Sequence, residues 1–106
     1  MEIFTLNQQN PAFTIWGSEE RMSAEILKVI LKEYPTAEVL LLKVTDENGL
    51  LLYSKPLISK PAEPFAARIS EFPEVPVNKR FIFSKQLEIS ISASESNSYL
   101  VEVQYV

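Results

Sequence analysis

Apolar and polar residues alternate most regularly in the last third of the chain. The apolar positions of the two runs are Leu87, Ile89 and Ile91, then Tyr99, Val101, Val103 and Tyr105. A period of two is typical of β-strands that bury one face and expose the other. Residues 93–97 between the runs are small and polar, so the pattern predicts two strands joined as a hairpin.

Two further pairs of extended segments are predicted upstream. Residues 38–45 are apolar on both strand faces, which favours a central strand, and the turn sequence from Asp46 to Gly49 should return the chain antiparallel through residues 50–55. Near the N-terminus, the pattern also predicts short strands over residues 3–6 and 12–16. We expect the first pair to be a tight hairpin and the second a loose one.

A long helix is predicted over residues 18–34. Ser18 could cap its first amides, and Glu19 and Glu20 suit the positive end of its dipole. At helical spacing, a broad apolar face is formed by Met22, Ile26, Leu27, Val29, Ile30, Leu31 and Tyr34. Pro35 would end the helix. So wide an apolar face implies contact with more than one sheet, either in this chain or in a second subunit.

Prolines dominate residues 56–76 and rule out a regular central strand there, because proline lacks the amide hydrogen that a ladder needs. Within this segment Phe65, Ile69 and Phe72 follow Pro64 at helical spacing. We therefore predict one short helix in an ordered crossover.

The predicted fold is α+β: a two-layer sandwich of a five- to six-stranded, mainly antiparallel sheet with one long and one short helix. The structural alternative is a β-sandwich with a helical insertion, since the second half is almost all strand. A chain of 106 residues is near the commonest domain size, so residues 1–106 are expected to form a single domain.

Composition narrows the possible environments and partners. The chain has no cysteine, its N-terminus does not resemble a signal peptide, and its apolar runs fall far short of the ~20 residues of a membrane-spanning helix. We expect a cytoplasmic protein, or a mature fragment, with no membrane contact. The net charge is −4 and the basic residues are scattered, with Lys79, Arg80 and Lys85 the nearest to a patch, so no nucleic-acid binding is expected.

Residues able to perform catalysis are scarce. With no histidine and no cysteine, His-based nucleophile systems, thiolate chemistry and the usual zinc sites are excluded within this chain. Asp46 is the only aspartate, and Gly17 and Gly49 are the only glycines, which argues against calcium loops and phosphate-cradling loops. No cofactor and no metal are expected. Glutamate pairs remain as candidates, namely Glu19 with Glu20 and Glu71 with Glu74.

The function that this pattern favours is a non-catalytic protein-binding module, such as an inhibitor, an adaptor or an assembly subunit, with a homodimer as one form. The C-terminal segment, residues 99–106, contains neither proline nor lysine. It would be open to pairing with a strand of another chain if it lay at a sheet edge. The candidate partner-binding residues are Trp16, Tyr99, Val101, Val103 and Tyr105. Two alternatives stay open: a small-molecule sensor with a pocket between helix and sheet, and a small enzyme that uses glutamate carboxylates.

Overall fold

The structure is a computed structural model that describes residues 1–33, 40–57, 74–93 and 99–106. These residues form eight β-strands and no helix. The strands are β1 (Glu2–Asn7), β2 (Ala12–Trp16), β3 (Ser23–Glu33), β4 (Leu40–Thr45), β5 (Leu51–Leu57), β6 (Glu74–Ile82), β7 (Gln86–Ser92) and β8 (Leu100–Tyr105).

The strands pair in a nested order. β1 pairs with β8, β2 with β7, β3 with β6 and β4 with β5, all antiparallel. Additional β3–β8 and β4–β7 pairing joins them into two four-stranded sheets, sheet A (β1-β8-β3-β6) and sheet B (β2-β7-β4-β5). One long hairpin, rolled so that its nested pairs divide between two sheets, is the topology of an eight-stranded jelly roll.

The inward faces of the two sheets form a single apolar core. Every second residue of β4, β7 and β8 is buried. This is the pattern expected in a β-sandwich, in which each sheet has one face toward the core and one toward solvent. Aromatic side chains close both lateral openings between the sheets. Phe4 stacks on Phe13 with centroids 4.0 Å apart where β1 meets β2, and Tyr53 meets Phe81 at 5.7 Å where β5 meets β6.

The α+β prediction is wrong, because residues of the predicted long helix form β3 at the centre of sheet A, between β6 and β8. A register shift between Ile26 and Lys28 explains the error. This bulge makes Ile26 and Val29 both point inward although they are three residues apart, and that spacing imitates a helix. The apolar residues on the other face of β3 add to the imitation.

The predicted helix cap serves a turn instead. The Ser18 hydroxyl accepts hydrogen bonds from the amides of Glu20 and Arg21 at 3.2 and 3.1 Å, and Ser18 and Arg21 pair as an isolated bridge. A serine at the start of a turn makes the same local bonds as one at a helix start. The side-chain chemistry was therefore predicted correctly and the backbone conformation was not.

Of the predicted hairpins, only the middle one is confirmed. β4 and β5 pair through the turn at residues 46–50, where Gly49 has a φ of +80°. The pairing of residues 87–92 with 99–105 is wrong, as is that of residues 3–6 with 12–16, because in each case the two strands belong to different sheets. Alternation of apolar and polar residues identifies a strand that buries one face. The pattern does not show whether the next strand along the chain pairs with it in the same sheet or lies in the opposite sheet.

The structure bears on only part of the proline-rich segment. The predicted short helix with Phe65, Ile69 and Phe72 lies outside the described residues. Pro56 lies in β5 and Pro76 in β6, and both strands are outermost in their sheets within the described part of the chain. Edge strands are where proline is tolerated, so the exclusion of a central strand is confirmed at these two positions.

Gly17 provides a test of the packing between the β2–β3 turn and the β6–β7 turn. A β-carbon at Gly17 would lie 2.5 Å from the Ser84 carbonyl oxygen, so Gly17→Ala should lower the free energy of unfolding by about 1–3 kcal/mol. Gly49→Asn is the matched control: nothing lies within 4 Å and asparagine tolerates positive φ, so a change below about 1 kcal/mol is expected. Urea unfolding measures both, and an unchanged Gly17→Ala variant would contradict this packing.

Candidate functional site

Both ends of the described chain and three turns lie at the same end of the sandwich. Because all neighbouring strands are antiparallel, the start of β1 and the end of β8 lie beside the turns at residues 17–22, 46–50 and 83–85. We call this the terminus end. Hydrogen bonds confirm the proximity, since the Gly17 amide donates to the Lys85 carbonyl at 2.8 Å.

Exposed apolar side chains concentrate at this end. The large apolar residues that the described part of the chain leaves exposed are Met1, Ile3, Trp16, Met22, Leu50, Leu51, Leu52, Ile82 and Val106. All of them lie in the three turns, beside them, in the parts of β1 and β5 nearest the terminus end, or directly outside β1 and β8 as Met1 and Val106 do. Scattered exposed leucines are ordinary on a protein surface, but a concentration of large apolar groups at one end is a common mark of an interaction surface.

The exposed apolar residues occupy both lateral edges of the sandwich. Ile3 and Trp16 lie in β1 and β2, which form one edge, and Trp16 is 66% exposed. Leu51, Leu52 and Ile82 lie in β5 and β6, which form the other, and Ile82 is 76% exposed. We call these the β1–β2 edge and the β5–β6 edge.

The turns that carry these residues are fixed by hydrogen bonds. The Asp46 carboxylate accepts from the amides of Asn48 and Leu50 at 2.8 and 2.9 Å, which shapes the β4–β5 turn. From the same turn, the Glu47 Oε1 atom accepts from the amides of Ser84, Lys85 and Gln86 at 3.2–3.5 Å. These bonds tie the β4–β5 turn, which contains Leu50, to the β6–β7 turn, which Ile82 directly precedes.

Glu47 is affected electrostatically by this position. The hydrogen bond from the Lys85 amide, with smaller contributions from the amides of Gln86 and Ser84, lowers the pKa of the Glu47 carboxyl from its ordinary value of 4.5. Amides that point at a carboxylate stabilise its charged form. The turn contact is therefore strongest when Glu47 is ionised.

The outer face of sheet A differs from the terminus end because it carries ion pairs between neighbouring strands. Lys28 pairs with Glu74 at 2.9 Å and Arg80 with Glu25 at 3.6 Å, each across the β3–β6 ladder. Exposed pairs of this kind contribute little to stability, roughly 0–1 kcal/mol, but they are typical of a face that stays in water. The exposed large apolar side chains of the described residues lie instead in the edge strands, in the turns and at the chain ends.

The structure separates the predicted partner-binding residues. β8 lies between β1 and β3, so its backbone is paired on both sides and the condition for strand addition, an edge position, is not met. In the core are Tyr99, Val101, Val103 and Tyr105. Only Trp16 remains exposed in the single chain, and partner binding through these residues stays a prediction.

Tyr105 has a structural role that its position explains. Its ring contacts Phe4 and Phe13, its hydroxyl donates to Glu2 at 3.0 Å, and the Arg21 guanidinium lies 5.9 Å from the ring centroid. Burial, and then the bond to Glu2, raise the pKa of the Tyr105 hydroxyl. The side chain therefore anchors the β1–β2 edge from inside.

Met22, Leu51 and Ile82 were missed as surface residues. Met22 was assigned to a buried helix face, and the return strand containing Leu51 gave no sign of which face is wet. Ile82 carried a usable signal: it follows Phe81 in an alternating run, so burial of one implies exposure of the other.

The described residues contain no group of three or more acidic, histidine or cysteine side chains that could hold a metal ion. They also contain no helix long and apolar enough to cross a bilayer. Glu19 and Glu20 are exposed in the β2–β3 turn, and Glu74 is engaged by Lys28. Glu71 lies outside the described residues.

Comparison with known proteins identifies the fold. No protein-family model matches the sequence, and no curated protein matches it. Among solved structures, the chain is similar to the NLP core of Drosophila, a protein whose crystal structure was discussed in terms of pentamer formation and histone binding. The TM-score is 0.59 over 99% of this chain and 96% of that one, at 10% sequence identity. The similarity shows a shared β-sandwich fold.

The Glu47 contact predicts a pH dependence of stability. Because the folded state lowers the pKa of Glu47, its contribution is fully present above the unfolded value of 4.5 and is lost as the pH falls through the lower folded value. Glu47→Gln should remove this part of the dependence. Glu47→Asp keeps the charge, but its side chain is one methylene shorter. It should therefore also weaken the hydrogen bonds from the amides of the β6–β7 turn.

Urea unfolding near neutral pH and near pH ~3, together with a carbon-13 titration of the Glu47 carboxyl, measures this effect. A Glu47 pKa at or above 4.5 would contradict the contact.

Proposed function

We propose that this chain is a non-catalytic protein-binding module that works as an assembly subunit. The observation that carries the proposal is the concentration of exposed large apolar side chains at the terminus end, on turns that hydrogen bonds hold in place. Removing such side chains from water is the main favourable contribution to protein association, at roughly 25 cal/mol per Å² of apolar surface.

Trp16 is the strongest single candidate for an interface residue. It is a large aromatic side chain on an edge strand, and tryptophan is among the residues most enriched at energetically important interface positions. β2 also lacks both charged residues and proline, the features that usually protect an edge strand from association. Strand and side chain together favour contact with another protein.

The similarity to the Drosophila NLP core supports assembly as the kind of function. That protein was described in terms of pentamer formation, and the two chains align over nearly their full lengths. At 10% identity the similarity cannot carry over individual contacts, so the interface residues proposed for this chain come from its own surface.

The sensor and enzyme alternatives have less support. The sensor alternative places its pocket between a helix and a sheet, and the described residues form no helix. A glutamate enzyme needs two carboxylates facing each other in a cleft. Glu74 is instead bonded to Lys28, and Glu19 and Glu20 lie in an exposed turn.

A second candidate function is binding of a basic polypeptide. The chain carries a net charge of −4, Glu19 and Glu20 lie exposed at the terminus end, and the Drosophila NLP core was described in terms of histone binding. An acidic surface raises the association rate with a basic partner and makes the affinity sensitive to salt. Core histones are a suitable probe.

Self-association can be measured through Trp16, the only tryptophan. We expect the molar mass in sedimentation equilibrium to rise with concentration above that of the 12.1 kDa chain, and the Trp16 emission to shift to shorter wavelength in parallel. Trp16→Ser should weaken association about tenfold or more, since loss of an interface tryptophan commonly costs upwards of ~2 kcal/mol. Gln9→Ser, in the exposed turn at the opposite end, is the matched control and should leave the mass unchanged.

If the wild-type chain stays monomeric at all concentrations and also fails to bind core histones, the proposed function is wrong. If it binds histones as a monomer, the second candidate replaces the first. That binding should then weaken as the salt concentration rises.

A further inference from the structure

We propose that copies of this chain associate head to tail, with the β1–β2 edge of one copy against the β5–β6 edge of the next. This inference rests on the proposed assembly function and specifies its partner, a second copy of the chain. When two different surfaces of the same protein bind each other, a row of copies has one unbound surface of each kind at its ends. All surfaces are bound only if the copies form a ring.

The placement of the apolar residues is the first argument. Each edge presents an exposed apolar residue on each outer face of the sandwich. Strand alternation directs Ile3 and Ile82 outward from sheet A, and Trp16 and Leu52 outward from sheet B. A symmetric dimer through the β1–β2 edge would cover Ile3 and Trp16 but leave Leu52 and Ile82 in water, and one through the β5–β6 edge would do the reverse.

The position of these residues along the strands is the second argument. All of them lie toward the terminus end, on both edges. A rotation about an axis roughly parallel to the strands keeps the terminus ends of all copies at the same level, and it brings sheet A beside sheet A and sheet B beside sheet B. Ile3 then approaches the Ile82 side of the next copy, and Trp16 approaches its Leu51 and Leu52.

The charges of the two edges are also complementary. On the β5–β6 edge, Lys55, Lys79 and Arg80 outnumber Glu74. On the β1–β2 edge and the turn after it, Glu2, Glu19 and Glu20 outnumber Arg21. A net acidic chain with one locally basic edge has electrostatic complementarity only when unlike edges meet, because two like edges would repel.

The backbone of the β5–β6 edge indicates what kind of contact forms. Pro56 and Pro76 have no amide hydrogen, and Asn78 has a φ of +47°, which interrupts a regular extended edge. A continuous intermolecular ladder is disfavoured there. Side-chain packing, with Trp16 as its largest element, is the mode of contact that remains.

A mixing experiment tests the inference. One double variant, I3S/W16S, removes the apolar residues of the β1–β2 edge. The other, L51S/I82S, removes the two most exposed apolar residues of the β5–β6 edge and leaves Leu52 in place. All four side chains are exposed by half or more, so both variants should fold, which circular dichroism and thermal unfolding would verify. Q9S serves as the matched control and should assemble like the wild type.

We expect each double variant alone to be monomeric by light scattering on a sizing column. Mixed in equal amounts, they should form a heterodimer and nothing larger, because the mixture contains one intact pair of unlike edges. In that heterodimer the single Trp16, contributed by L51S/I82S, should show the short-wavelength emission of the wild-type assembly.

Two outcomes would overturn the inference. If L51S/I82S alone stays fully assembled, the contact joins two β1–β2 edges, as in a β2-to-β2 strand pairing. If I3S/W16S alone stays fully assembled, the contact joins two β5–β6 edges. Both outcomes keep the assembly function, whereas a wild-type chain that is monomeric at every concentration refutes the assembly function itself.

Discussion

Burial of the inward faces of the two sheets against each other is the interaction on which the rest of this structure depends. The nested pairing of β1 with β8 through β4 with β5 is stable only because the rolled hairpin brings its apolar residues to one core. Burial of a leucine or valine side chain contributes about 1.5–3 kcal/mol, and the chain has no cysteine that could add a disulfide to this core. The rolling also determines which strands become edges, and therefore which surfaces stay available for contact.

Sequence patterns predicted the local features better than their arrangement. The β4–β5 hairpin was predictable because the turn sequence from Asp46 to Gly49 and the apolar strands on either side of it both indicate a hairpin. β3 was not, because its bulge puts Ile26 and Val29 on one face at a spacing that a helix shares. The assignment of β7 and β8 to different sheets depends on contacts across the core, and alternation along a strand carries no information about them.

The candidate site shows the same division. Trp16 was identified from its chemistry and remains exposed, whereas Val101 and Val103 were selected for an edge position that β1 and β3 fill. Ile82 and Leu51 could be recognised only once the topology placed β5 and β6 at an edge. Since the fold creates the two edges, the proposed interaction surfaces depend on the topology as much as on individual residues.

The turns at the terminus end connect stability to this proposed function. Glu47 ties the β4–β5 turn to the β6–β7 turn, and Gly17 allows the β2–β3 turn to approach the Ser84 carbonyl. The exposed apolar residues therefore lie on a preorganised frame. Preorganisation reduces the entropy lost on association, so a modest apolar area can suffice for specific contact.

The most direct test of the account is an isotope-filtered NOE measurement on an equal mixture of labelled and unlabelled chains. Head-to-tail assembly predicts NOEs between the Trp16 indole of one chain and the Leu51 and Leu52 methyl groups of another. Intermolecular NOEs that instead join Trp16 to β2 residues such as Ala12, or the absence of any intermolecular NOE from Trp16, would contradict it.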